Sequence, residues 1–318
     1  VVFLPVVLLL MEMAFFQDWN SARTRRFFQA LIFTGFLVFT SVIVYALCDG
    51  EIGNWHNRYQ NRFFTIEERL ITQFRVMLFY LYQIGYPIPT QFSVTHDVVV
   101  STSLFTPWTT LPSMLAIIGM IGIALWAIQK AAVYKIIGFS IIFFFINHIV
   151  ESTIIPLEMI FEHRNYLPSF FLFIPPAIGI KIALNYYQIQ NRAMFGFLVF
   201  ATCAFISGLG ISTYIRNMDW RSEKSLWQDA MEKAPESARP PHNLAWGYYY
   251  PAGRIDKAIA LYHRSVTLND HRTGFEATSY FNLAKIYYSE LENDDKAIEY
   301  ARKTLMIKPQ HRHAAYLL

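Results

Sequence analysis

The sequence predicts an all-α protein, a polytopic transmembrane helix bundle followed by an α-solenoid of helical repeats. Three observations lead there. Apolar residues make up 54% of the 318 positions and charged residues only 16%, against about a quarter charged in ordinary globular domains. The charge is also uneven. Residues 1–216 carry 13 Lys and Arg with 10 Asp and Glu, whereas 217–318 carry 14 and 13, more than twice the density. The change near Arg216 marks a passage from a lipid-like solvent to water. Finally, a set of residues recurs at one fixed offset in the last third.

The domain organisation follows: 1–216 as a transmembrane domain of about six spans, with outer loops 49–112 and 151–166, and 217–318 as a repeat domain. A bilayer core takes roughly 20 apolar residues per helix. Qualifying runs are 27–48, 113–128 with its flanks, 133–150, 167–184 and 194–215; residues 1–16 read as the remainder of another. Pro175 and Pro176 fall inside the fifth run, where neighbouring helices can satisfy a freed carbonyl. The chain begins without Met inside an apolar stretch and ends inside a repeat, so it reads as a fragment. Residues 1–16 lack the basic region and small-residue cleavage site of a signal peptide.

Lys and Arg in short loops set the orientation. Loop 17–26 holds Arg23, Arg25 and Arg26; loop 129–136 holds Lys130 and Lys135; the turn 185–193 holds Arg192. These three loops are expected on the cytoplasmic side, which places loop 151–166 and the repeat domain outside. A further span at 76–86 would invert this, but that stretch is too short to cross. Residues 66–81 place Ile66, Leu70, Phe74, Met77, Leu78 and Leu81 at helical spacing, with Glu67, Glu68, Arg69, Thr72, Gln73 and Arg75 opposite. Such an amphipathic helix either lies in the outer interface or packs on the bundle with one wet side.

Asn243-Leu244-Ala245 recurs as Asn282-Leu283-Ala284, and Asp256-Lys257-Ala258-Ile259 as Asp295-Lys296-Ala297-Ile298, both 39 residues later. Trp227, Ala230 and Pro235 match the second helix of an earlier unit, and 311–318 begin a later one. The pattern resembles the tetratricopeptide repeat, with a few residues inserted between units. Stacked repeats form a concave surface for a protein or peptide partner.

Net charge of +4, spread over both parts, gives no basis for a nucleic-acid partner. Two cysteines, Cys48 and Cys203, build no disulfide framework. No Cys/His metal spacing, Gly-rich phosphate loop or nucleophile-elbow motif occurs, so neither metal nor soluble cofactor is assigned. Ionisable groups do collect at the outer rim, where charge beside lipid marks a functional candidate. Arg164 can grip a phosphate through its planar fork. Glu162 can orient that Arg or act as a base, and His163 can shuttle a proton. The alternative is that Glu162, Arg164 and Tyr166 merely anchor a helix end. His96-Asp97 is a weaker base-and-carboxylate pair.

Glu68-Arg69-Leu70-Ile71-Thr72-Gln73-Phe74-Arg75-Val76, Thr95-His96-Asp97, Glu162-His163-Arg164-Asn165-Tyr166-Leu167-Pro168-Ser169 and Trp220-Arg221-Ser222-Glu223 carry a wider resemblance. With the repeats, they look like bacterial relatives of the transmembrane and tetratricopeptide repeat-containing O-mannosyltransferases of the GT-C superfamily. The resemblance implies a multi-pass protein of the bacterial inner membrane whose repeat domain is periplasmic. It implies transfer of a sugar from a polyprenyl-phosphate donor to an exported protein. It covers Glu162, His163 and Arg164 as motif positions and leaves the catalytic residue unnamed; the candidates are Glu162, His163 and Asp97, with Arg164 and Arg75 expected to bind the donor phosphate. The family's usual acidic residue in the first outer loop has no counterpart here, since this sequence starts after that point. The other class is a non-catalytic, membrane-anchored repeat scaffold or accessory subunit. A transporter is disfavoured because the ionisable residues gather at one face rather than at the midplane.

Overall fold

The structure is a computed structural model that describes residues 4–16, 62–130, 132–149, 157–268 and 274–318, with isolated positions 21, 22, 26, 29, 59, 151, 152 and 155. The expected span 27–48, the arginines Arg23 and Arg25, and Cys48 lie outside the described residues or nearly so. Among the described residues every regular element is helical. The order is α1 (Leu4–Met11, continued by a π turn Glu12–Phe16), α2 (Ile66–Gly85), α3 (Thr110–Ile128), α4 (Ala132–His148), α5 (Ile174–Gln190), α6 (Arg192–Asp219) and α7 (Glu223–Lys233). Then come α8 (Arg239–Leu244, continued by a π turn Ala245–Tyr249), α9 (Ile255–Thr267), α10 (Phe275–Ser289), α11 (Asp294–Ile307) and α12 (Arg312–Ala315).

Local chemistry sets the helix starts. Thr65 accepts from Glu68 N–H while the Glu68 carboxylate accepts from Thr65 N–H, a reciprocal cap for α2. Asn191 and Asn293 cap α6 and α11 through their side-chain oxygens. The prolines expected to kink the fifth run do not sit mid-helix. Residues 168–171 form a 3-10 turn and α5 starts only at Ile174. Pro175 and Pro176 thus occupy its first turn, where a missing N–H removes no bond.

Among the described residues three segments are long and apolar enough to cross a membrane: Thr110–Ile128, Pro168–Gln190 and Arg192–Asp219. Val133–His148 and Val6–Phe16 are apolar but shorter. α1, α3 and α4 pack through Val7, Leu10, Ala124, Ile128, Phe139 and Phe143. α5 and α6 have no buried residue. Phe200, Phe205 and Ile211 all face outward, as a lipid-facing helix requires.

α2 packs on α3 and α4, yet the face it hides differs from the apolar stripe in the sequence. Its buried residues are Arg69, Thr72, Gln73, Val76, Met77, Tyr80 and Gln83, while Leu70 is exposed. The polar groups expected to be wet are covered because the segments 91–101 and 157–161, with Glu151, bring partners to them. Ser101 N–H donates to Thr72 Oγ1 at 2.8 Å, Gln83 Nε2 to Gln91 O at 2.9 Å, and Arg69 to the carbonyls of Leu157 and Glu151. Hydrophobic periodicity alone cannot anticipate a face whose partners are main-chain groups of distant segments.

The repeats pack as their spacing predicts. Leu244 and Leu283, Ala245 and Ala284, and Ala258 and Ala297 are all buried, each pair one period apart. Tyr262, Tyr287, Tyr300 and Ala301 complete one core. Gly253, at φ 67°, makes the turn into α9 that a side chain would strain. A buried polar chain crosses three helices: His242 Nδ1 lies 2.7 Å from Ser279 Oγ, Ser279 Oγ donates to Ser265 Oγ at 3.0 Å, and Ser265 Oγ donates to Ala238 O.

Burial holds the His242 imidazole down at about 4. An unfolded histidine titrates near 6.5, so between these values the unfolded chain binds a proton that the folded one refuses. Stability is full above pH ~6.5 and falls toward pH ~4, by up to ~3 kcal/mol. Hydrogen exchange of α8–α10 in the full chain should therefore quicken from pH 7 to 5 after correction for intrinsic rates. His242→Gln should flatten that slope; an unchanged slope would place the proton elsewhere.

Candidate functional site

Three segments meet at one end of α6. The first is 87–101, which follows α2 and contains a 3-10 turn at Pro89–Gln91; the second is 157–171, and the third is the connection from α6 into α7. Between them lies an open cavity of about 680 Å³, bounded among others by Phe92, Glu162, His163, Tyr166, Arg216 and Trp220. That volume suits a ligand of small-molecule size. Tyr166 and Trp220 are both largely exposed.

Glu162 and His163 belong to a 3-10 turn, Glu162–Asn165, that two clamps hold. Tyr80 Oη accepts from Phe161 N–H at 2.8 Å and donates back to Phe161 O at 3.3 Å. Glu162 Oε1 accepts from Ser93 N–H at 2.5 Å and lies 3.1 Å from His96 Nε2. The carboxylate is thus fixed on the cavity wall by a main-chain donor and an imidazole, an orientation suited to general-base work.

The other candidates stand behind the wall. Arg164 is 5% exposed, pairs with Glu151 at 3.0 Å and donates to Glu158 O at 2.7 Å. Burial pushes the Glu151 carboxyl up despite the Arg164 charge beside it. Arg75 donates to Val99 O at 2.7 Å and Ser101 Oγ at 3.4 Å. Asp97 accepts from Glu236 N–H at 3.0 Å, across the junction with the repeats. The structure therefore brings Glu162 and His163 to the cavity and uses Arg164, Arg75 and Asp97 in contacts between segments. Among the described residues no group of three or more His, Cys, Asp or Glu side chains could hold a metal ion.

Sequence reasoning passed over Arg216 and Lys233. Arg216 Nη1 donates to Asp229 at 2.7 Å and Asp219 at 3.0 Å. Lys233 pairs with Asp229 and donates to Pro89 O and Phe92 O, both at 2.9 Å. Both residues sit in ordinary-looking helix ends. The available signal was charge at the last turn of an apolar helix, four residues before an exposed Trp.

A tetratricopeptide repeat family model matches residues 277–311, which cover most of α10 and all of α11. No curated protein and no solved structure matches the chain. The repeat gives this part of the molecule the capacity to bind or assemble proteins.

Proposed function

We propose that the chain is a multi-pass membrane glycosyltransferase of the GT-C type, moving a sugar from a polyprenyl-phosphate donor to a protein presented by its repeats. The observation that carries this reading is the cavity with Glu162 and His163 on its wall, where apolar α6 runs into the repeat arm. An amphiphilic donor needs that combination: an apolar helix for its chain, polar walls for its head, and a protein-binding arm beside them. The acceptor hydroxyl would attack the anomeric carbon and give its proton to Glu162, directly or through His163. The bond from that carbon to the phosphate oxygen would break, and polyprenyl phosphate would leave. Arg164 and Arg75 would reach the phosphate only by releasing Glu151 or Val99. The Lys and Arg distribution of the short loops supports a non-cytoplasmic, periplasmic site.

Glu162→Gln should lower sugar transfer to exported proteins in membrane vesicles by about 10²–10⁴-fold, with the protein level unchanged. Transfer at the parental rate would sink the enzymatic reading. The second reading is a membrane-anchored repeat scaffold. It is favoured by Arg164, Arg75 and Asp97 all being engaged in structural contacts, and it expects Glu162→Gln to leave protein capture intact and every glycan unaltered.

A further inference from the structure

We infer that Arg216 is the anion-binding residue of the cavity, taking the phosphate of an amphiphilic ligand while the repeat arm holds it in position. The inference rests on the transferase reading for the ligand's class but on separate residues for its site. Arg216 is in the last turns of α6, its side chain 12% exposed. Its Nη1 serves Asp219 and Asp229, while Nη2 is shielded from solvent and has no partner among the described residues. A guanidinium carries five donors in a rigid fork, so one edge is tethered and part of the other is unused. The Trp220 ring lies over it, its centroid 5.8 Å from the guanidinium carbon, and flanks the cavity opening.

The surroundings suit an anion at the end of an alkyl chain. Ser212 and Asn217 line the same cavity from α6 and offer neutral donors, whereas the Thr213 hydroxyl donates back to Leu209 O at 2.9 Å. Glu162, the carboxylate in that lining, already accepts from Ser93 and faces His96. Two and three turns back along α6, Leu209 and Phe205 continue the Arg216 face, Leu209 lining the cavity and Phe205 exposed, a track for a hydrocarbon tail. Neither Arg164 nor Arg75 lines the cavity.

The arm contributes directly. Asp229 lies on α7, outside the apolar run, yet it is the carboxylate nearest Arg216. Lys233 on the same helix binds Asp229 and holds the carbonyls of Pro89 and Phe92, residues of the facing lip. One helix of the arm thereby fixes both the guanidinium and the wall opposite it.

The test titrates the full chain in maltoside micelles with dodecyl phosphate, with dodecanol as the uncharged control. Arg216→Gln should weaken dodecyl phosphate by at least about tenfold and leave dodecanol unchanged, with Arg216→Lys falling between. Equal binding of dodecyl phosphate by parent and Arg216→Gln overturns the assignment. If Arg216→Gln loses its helical signal, Ser169→Trp decides, since it fills the cavity from the segment facing α6 rather than from the helix turn beside Arg216. Retained binding there overturns the site, and lost binding supports it. Inorganic phosphate that competes at equal concentration identifies the ligand as a free anion; failure to compete identifies a lipid headgroup. Arg216-dependent binding without sugar transfer would remove the transferase reading alone, whereas transfer with Arg216-independent binding would remove only this one.

Discussion

Arg69→Ala is expected to destabilise the α2–α3–α4 unit by on the order of 4 kcal/mol. Arg69 is completely buried, the largest such side chain among the described residues. Its guanidinium donates to Leu157 O and to Glu151 O, tying α2 to the segment that carries Glu162. Burial holds it down at about 10, which leaves it charged at neutral pH. Truncation strands two shielded carbonyls, at about 1–3 kcal/mol each, and opens a void the size of a long side chain. Arg69→Met fills most of that void and should recover only part of the loss, because the carbonyls stay unpaired. Thermal unfolding in detergent checks both variants. A midpoint for Arg69→Ala within a degree of the parent would show that water reaches those carbonyls at little cost. Glu162 function should fall with stability, since the 157–162 segment loses its tether.

Gly138→Ala is expected to cost about 3 kcal/mol, from steric pressure rather than lost bonds. A Cβ on Gly138 in α4 would stand 2.4 Å from Ala124 O, 2.8 Å from Ile128 Cγ1 and 3.0 Å from Ile128 N, all on α3. The first and last are backbone atoms, which move only if the whole helix moves. Alanine's higher helix propensity returns at most about 1 kcal/mol, less than the overpacking of a close helix contact. Gly122→Ala is the control. A Cβ there has nothing within 4 Å, so propensity acts alone and the melt should rise slightly. Equal responses at the two positions would contradict the close approach of α3 and α4.

Much of the helical framework was legible because it is written in composition and period. The 39-residue offset located Leu244 with Leu283 and Ala258 with Ala297, and each pair proved buried at equivalent places. Apolar runs near 113–128 and 194–215 corresponded to α3 and α6. What escaped depends on groups that no period records. The hidden side of α2 is chosen by carbonyls of distant loops, so Arg69 and Gln73 go in and Leu70 stays out. The start of α5 is set by where proline is harmless. At the candidate site, Glu162 and His163 stood out through their company in a short polar block. Arg216 did not, because its significance comes from Asp229 on another helix and from an unused donor edge.

α6 runs unbroken from its apolar length to Asp219, and only residues 220–222 separate it from α7. So short a joint makes the helix a crankshaft for the repeats. Each residue of α helix advances about 1.5 Å and turns about 100°. A single inserted residue near Gly208 would therefore swing the repeat arm through more than a quarter circle and pull Lys233 away from the carbonyls of Pro89 and Phe92. The compass bearing of the arm is encoded in the residue count of one helix, a quantity that tolerates substitution freely and length change hardly at all.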